Sequence, residues 1–297
     1  MVSNSREGLR GAAIYIGLML TLALISSAQL FAVNIKFKKI VIPGALSTTA
    51  TGINDAGVIV GYDLDTSGVA HGFMLSNGIV TTIDDPEGTA TLCEGINSSG
   101  QIVGEYTQPN GNNHGFLYEN GVFTDVGLGV ISGAFSINDS GIIVGGYLKC
   151  GICQQFGFIF DGTTYTTLNV PGSTLTGPTG INNQGMISIT SANQGATYSA
   201  YIYDGTNYTK IDAPGYTDSY AGGINNLGDV SITVDKTQGT HQVEYGGVFS
   251  GGQYYFFSYR NRENELTRSA GINDHRQVVG DFETDTQISG YAAEMHR

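Results

Sequence analysis

The chain contains no tryptophan, only three cysteines, and few charges: 13% of its 297 residues. Each shortage excludes something. Three cysteines cannot frame a small disulfide-dense scaffold. Thirteen basic residues stand against 26 acidic ones, a net charge of −13. A surface of that sign repels the phosphates of nucleic acid. The missing tryptophan weakens a lectin reading, although 17 tyrosines remain. Sparse charge with 40% hydrophobic residues excludes a disordered chain. What abounds is glycine, with 44 residues. That is roughly twice the usual ~7%, and with no every-third-residue period it signals tight turns rather than collagen.

Residues 1–28 read as a secretory signal peptide. Arg6 and Arg10 precede an apolar run from Ala12 to Ile25, and Ser26-Ser27-Ala28 supplies small residues at the cleavage positions. An uncleaved anchor would need about 20 apolar residues, which this run reaches only by including polar ones. Residues 29–36 are then a short linker. The mature chain, at net charge −14, has no further segment apolar enough to span a bilayer. Export to the periplasm or the exterior is the expectation.

The remainder, 37–297, repeats. Gly-Ile-Asn ends at Asn54, Asn97, Asn182, Asn225 and Asn273, and Ser136-Ile137-Asn138 is a sixth copy. The asparagines are 43, 41, 44, 43 and 48 residues apart. A glycine follows three residues later in five copies, with Arg276 in the sixth. An apolar run such as Val58-Ile59-Val60-Gly61 comes next, then His71-Gly72-Phe73 or its equivalent, then an Asn-Gly or Asp-Gly turn. Each unit therefore parses into four short antiparallel strands joined by hairpin turns. Four strands per 41–48 residues is the arithmetic of a propeller blade. The expected fold is all-β, a six-bladed β-propeller of four-stranded antiparallel blades. The sixth copy lacks a fourth strand, whereas Phe37 to Gly44 aligns with the fourth strand at Tyr208 to Gly215. The N-terminal strand is thus expected to complete the last blade.

These motifs, Gly-Ile-Asn, Gly-x-Ile-Val-Gly and His-(Ala/Gly)-Phe, resemble the bacterial extracellular-repeat proteins of the HAF family over about residues 37–297. His-Gly-Phe is intact only at His71 and His114, so the histidine is not an essential group in every unit. The resemblance implies an exported bacterial protein without a defined biochemical activity, and it brings no catalytic residues.

Few motifs point to chemistry. The six asparagines suit Asx-type turns better than a ring of ligand contacts. Cys150 and Cys153 form a Cys-x-x-Cys in a strand connection with no second pair for zinc. A local disulfide is the expectation, leaving Cys93 as a buried single thiol. Asp63-x-Asp65 lacks the further ligands of a calcium loop. All five arginines of the mature chain follow residue 259. Arg260, Arg262 and Arg268 share one insertion and suit an anion or an acidic polymer, since guanidinium forks match carboxylates.

The expectation is a non-enzymatic exported binding or structural propeller with no cofactor and no bound metal. Its partner would be an extracellular ligand or envelope component. The alternative is a hydrolase or lyase with a metal in the central channel, which requires carboxylates or histidines converging there. The repeats supply mainly isoleucine, asparagine and glycine near the inner strands.

Overall fold

The computed structural model describes residues 34–129, 131–149, 151, 154–193, 197–238, 241–259, 266–284 and 287–296. The expected signal peptide lies outside them, as do Cys150, Cys153, Arg260 and Arg262. Among the described residues there are 24 strands. No helix is long and apolar enough to cross a membrane.

After β1 (Asn34–Ile40) the strands fall into successive units. The first contains β2 (Ser47–Ile53), β3 (Ile59–Leu64), β4 (Ala70–Ser76) and β5 (Ile79–Thr82). The second contains β6 (Ala90–Ile96), β7 (Ile102–Thr107), β8 (Asn113–Glu119) and β9 (Val122–Asp125). The third contains β10 (Ser132–Ile137), β11 (Ile143–Lys149), β12 (Gln154–Phe160) and β13 (Tyr165–Leu168). The fourth contains β14 (Leu175–Ile181), β15 (Ile187–Ala192), β16 (Ser199–Tyr203) and β17 (Tyr208–Lys210). The fifth contains β18 (Asp218–Ile224), β19 (Val230–Gln238), β20 (His241–Ser250) and β21 (Gln253–Phe257). The sixth contains β22 (Leu266–Ile272), β23 (Gln277–Thr284) and β24 (Gln287–His296). Four sheets have four strands each, and the third and fourth units join into one larger sheet at a single parallel pairing, Gln155 with Leu175.

The architecture is an all-β propeller. Its seam is closed as the complementary ends of the sequence suggested: β1 pairs antiparallel with β24, from Asn34–His296 to Ile40–Gly290. The strand begins at Asn34, inside the expected linker, because β24 runs on to His296 and gives residues 34–36 a ladder partner.

Strand alternation sends one face of each sheet to each neighbour, so the core is divided among the junctions between units. Val60 and Ile83 of the first unit pack with Cys93, Ile102 and Phe116 of the second. At the seam, Ile40 and Val279 pack with Ala50, Ile59 and Phe73. Cys93 is fully buried, as expected of the single thiol, and burial pushes its pKa far up.

Packing also explains the glycine motifs. In Val60-Gly61 a Cβ on Gly61 would lie within van der Waals radii of both the Thr49 carbonyl and the Phe73 ring. The glycine therefore leaves room for the phenylalanine of His71-Gly72-Phe73, which is 1% exposed. In Gly-Ile-Asn a Cβ on Gly95 would stand 2.9 Å from Ser136 Cα in the next unit. Such glycines let inner strands approach closely around the axis.

Candidate functional site

The inner strands β2, β6, β10, β14, β18 and β22 surround a channel, and its two ends differ. At one end each strand stops at its asparagine. Asn54 Oδ1 accepts a hydrogen bond from Val58 N–H at 3.0 Å, the Asx-type turn the sequence suggests. Its Nδ2 donates across the junction to Asn97 O at 3.1 Å. Asn97 repeats this to Asn138 O, Asn138 to Asn182 O, Asn182 to Asn225 O, Asn225 to Asn273 O, and Asn273 back to Asn54 O, all at 3.0–3.1 Å. Six buried side chains thus form a closed ring. Sequence reasoning found the turn but missed the ring, because a bond to the next unit cannot be read from one unit's spacing.

The following residues form a second layer. Ser98 N–H donates to Asp139, Asp139 N–H to Asn183, Asn183 N–H to Asn226, Asn226 N–H to Asp274, and Asp274 N–H to Asp55, at 2.7–2.9 Å. Burial opposes the Asp139 charge, but bonds from Ser98 and Asn183 outweigh it and hold the pKa below the usual range. The carboxylates here are engaged in structure. This end encloses a cavity of only about 80 Å³.

Toward the other end every inner strand carries a β-bulge. The ladder shifts after Ala50, Cys93, Ala134, Pro178, Ala221 and Ser269. The residues that follow, Thr51, Glu94, Phe135, Thr179, Gly222 and Ala270, line one cavity of about 320 Å³. A bulge re-aims a side chain that the regular pleat would send elsewhere. The sequence signal was present but unread. Immediately before each repeated Gly-Ile-Asn or Ser-Ile-Asn, one position holds five residue types in six copies.

Glu94 is the most unusual member. Burial, and then the charge of Glu105, push its pKa up to about 8. Glu105, on β7, accepts from Asn113 Nδ2 at 3.0 Å through Oε1, and burial raises its pKa as well. The pKa of Tyr62, on β3, is raised by burial and then by the charge of Glu94.

Arg268 lies on β22 near the mouth of this cavity. Its guanidinium meets Glu244, Asp281 at 3.2 Å and Glu283 at 3.4 Å. Burial opposes its charge, while Asp281 and Glu244 raise its pKa. One partly exposed cation therefore stands among three carboxylates.

His71 Nδ1 pairs with Asp84 at 2.7 Å and His114 Nδ1 with Asp125 at 3.2 Å. In the fourth unit Ser199 Oγ donates to Asp212 instead. The motif histidine thus ties the third strand of a unit to the segment following or ending the fourth. Asp65 Oδ1 accepts from Ser67 and Val69 N–H in a local turn. Among the described residues no three or more histidine, cysteine or acidic side chains gather as a metal-ligand set.

No family model and no curated protein matches the sequence. Solved structures do match in fold. The β-propeller domain of the Trilobed protease from Pyrococcus furiosus superposes with a TM-score of 0.57 at 12% identity, covering 86% of this chain and 84% of that one. A putative TolB from Agrobacterium tumefaciens gives 0.55 at 10% identity, covering 90% and 100%. A mutant Aleuria aurantia lectin in complex with Fucalpha1-6GlcNAc gives 0.53 at 12% identity, covering 85% and 95%. At these identities the likeness is one of fold, and the fold it shares is the β-propeller.

Proposed function

We propose that the chain is an exported, non-enzymatic binding propeller of six blades, one per unit, whose ligand enters the bulge end of the channel. The observation that carries this reading is the bulge ring. A scaffold that repeats its turns, its core and its asparagines changes residue type where the chain lines an open cavity. A propeller hosts many functions, so it is the site that argues for binding. The six-membered asparagine ring supports the blade count. The basic, apolar and small-residue succession of 1–28 supports export. The lectin's fucosylated ligand accords with a binding role and does not identify the ligand here.

A thermal-shift screen of the full chain against neutral sugars, amino sugars, small amines and carboxylic acids tests the reading. It should return ligands whose stabilisation disappears in Ala270→Phe, which fills the cavity. Ligands that stabilise the parent and the filled variant equally would place the site elsewhere.

A further inference from the structure

The bulge cavity has a chemistry more specific than its shape. Its hydroxyls already have partners within the fold. Thr51 Oγ1 donates to Cys93 O at 2.6 Å, and Thr179 Oγ1 to Gly222 O at 2.9 Å. Ser269 Oγ lies 3.1 Å from Tyr291 Oη. Phe135, Gly222 and Ala270 contribute apolar surface. Against this stands Glu94, a carboxylate that lines the cavity and has no hydrogen-bond partner among the described residues. Glu94 is half-buried and partly open to the cavity, and a carboxylate drawn out of bulk water without a donor is costly to maintain.

A second negative group lies nearby. Phe135 also borders an adjoining cavity of about 230 Å³ that contains Glu105. Glu105 Oε2 and Phe135 Cε1 lie 2.6 and 2.7 Å from the point a Cβ on Gly133 would occupy. The aromatic ring and the carboxylate therefore flank the space left by a missing side chain. Oε1 of Glu105 is held by Asn113, and Oε2 has no hydrogen-bond partner among the described residues. The mouth above is acidic too, with Glu244, Asp281 and Glu283 around the single Arg268.

Resting on the binding role proposed above, we propose that this cavity takes a compact primary amine: its ammonium group is held by the Glu94 carboxylate, faces Phe135, and has Glu105 as a second negative pole, with its apolar body against Gly222 and Ala270. Glu94 and Phe135 line the same cavity, and a carboxylate together with an aromatic ring is a combination that recognises organic cations. The ionisable groups that interact with Glu94 are Glu105, Tyr62 and Cys93. With a pKa near 8 in the empty site, Glu94 is mostly protonated at pH 7. Binding an ammonium then expels that proton, and affinity rises with pH until the carboxylate is ionised.

The test is calorimetric titration of the full chain with benzylammonium and with its neutral isostere benzyl alcohol, at pH 6.5 and 8.5. The wild type should prefer benzylammonium at pH 8.5 and gain roughly twentyfold in affinity for it between the two values. At pH 7 it should release close to one proton per amine bound, read from buffers of different ionisation enthalpy. Glu94→Gln should lose about tenfold or more in amine affinity and all of the pH dependence, while its affinity for benzyl alcohol is maintained. Should Glu94→Gln fail to fold, Phe135→Leu should weaken amine binding several-fold and leave the alcohol unchanged. The proposal is overturned if benzyl alcohol binds as well as the amine at pH 8.5, if the glutamine variant binds the amine normally, or if neither probe binds. If Ala270→Phe still binds both probes as the parent does, the channel reading itself fails, an outcome distinct from a neutral ligand preferring the same cavity.

Discussion

The two ends of the channel are built from the same six strands only a few residues apart, yet they follow opposite rules. At the asparagine end every unit supplies the same residue and makes the same bond to its neighbour, and the space left is about 80 Å³. At the bulge end five residue types occupy six equivalent places around about 320 Å³. Uniformity is what a closed ring demands, since a bond that fails at one junction weakens the closure of all. Variety at one position, on a scaffold that otherwise repeats, is what recognition of an asymmetric ligand demands. In this protein, then, the most regular polar residues hold the ring and the least regular ones carry the candidate site.

Several substitutions can break or sharpen that contrast. The largest effect should come from opening the ring at its seam. Removing residues 1–43 exposes the β24 edge and takes Ile40, 4% exposed, and the Phe37 ring, which lies 5.3 Å from Tyr291, out of the core. Each large apolar side chain so lost costs about 1.5–3 kcal/mol, and an uncovered strand edge pairs with other chains. Chemical denaturation and light scattering should show a protein several kcal/mol less stable that self-associates.

Next comes Asn138→Ala, which takes the acceptor from Ile142 and Ser140 N–H and cuts the ring bond to Asn182 O, leaving that carbonyl only Gly185 N–H. Denaturation should register a loss of about 2–4 kcal/mol. The corresponding change at the bulge end, Thr179→Ala, should cost about 1 kcal/mol or less, because its hydroxyl supplies a single set of backbone contacts beside an open cavity. Equal costs at the two ends would erase the distinction.

Glu94 offers a pH test of the same contrast. Its folded pKa, about 8, lies above its reference value of 4.5. The native state therefore holds a proton that the unfolded chain has released, and stability falls as pH rises from about 4.5 to 8. The wild type should lose a few kcal/mol across that window. In Glu94→Gln this component should vanish, leaving the variant the more stable protein at pH 9.

The smallest effect belongs to His71. Its hydrogen bond to Asp84 raises its pKa, with burial opposing. The stabilisation is present below the unfolded value of about 6.5 and disappears as pH rises through the folded one. His71→Ala should therefore lower the melting temperature slightly at pH 5.5 and leave it unchanged at pH 8.5.

What the sequence made legible follows this same division. The four-strand units, the Asx turns and the complementary strand at Phe37–Ile42 could be read because recurrence amplifies any feature that six junctions need. Val60-Gly61 and His71-Gly72-Phe73 were visible as motifs, but their reason, a phenylalanine filling the space over a glycine, required the cross-strand register. The bulge residues escaped, although their position varies from copy to copy, because an inner strand read as regularly alternating assigns Thr51 and Glu94 no special direction. The surroundings of Arg268 were hidden for a related reason. In sequence it stands near Arg260 and Arg262, but its ladder partner is Asp281 and Glu244 reaches it from the preceding unit.

The central claim, that ligand enters at the varied end and not at the uniform one, is tested most directly by a methyl-resolved NMR titration with benzylammonium. Alanine and threonine methyls report on the open cavity through Ala221, Ala270, Thr51 and Thr179. Isoleucine methyls report on the asparagine end through Ile53, Ile96 and Ile137. The account predicts saturable shifts in the first set and silence in the second. Saturable shifts at the isoleucines with a silent bulge ring would contradict it.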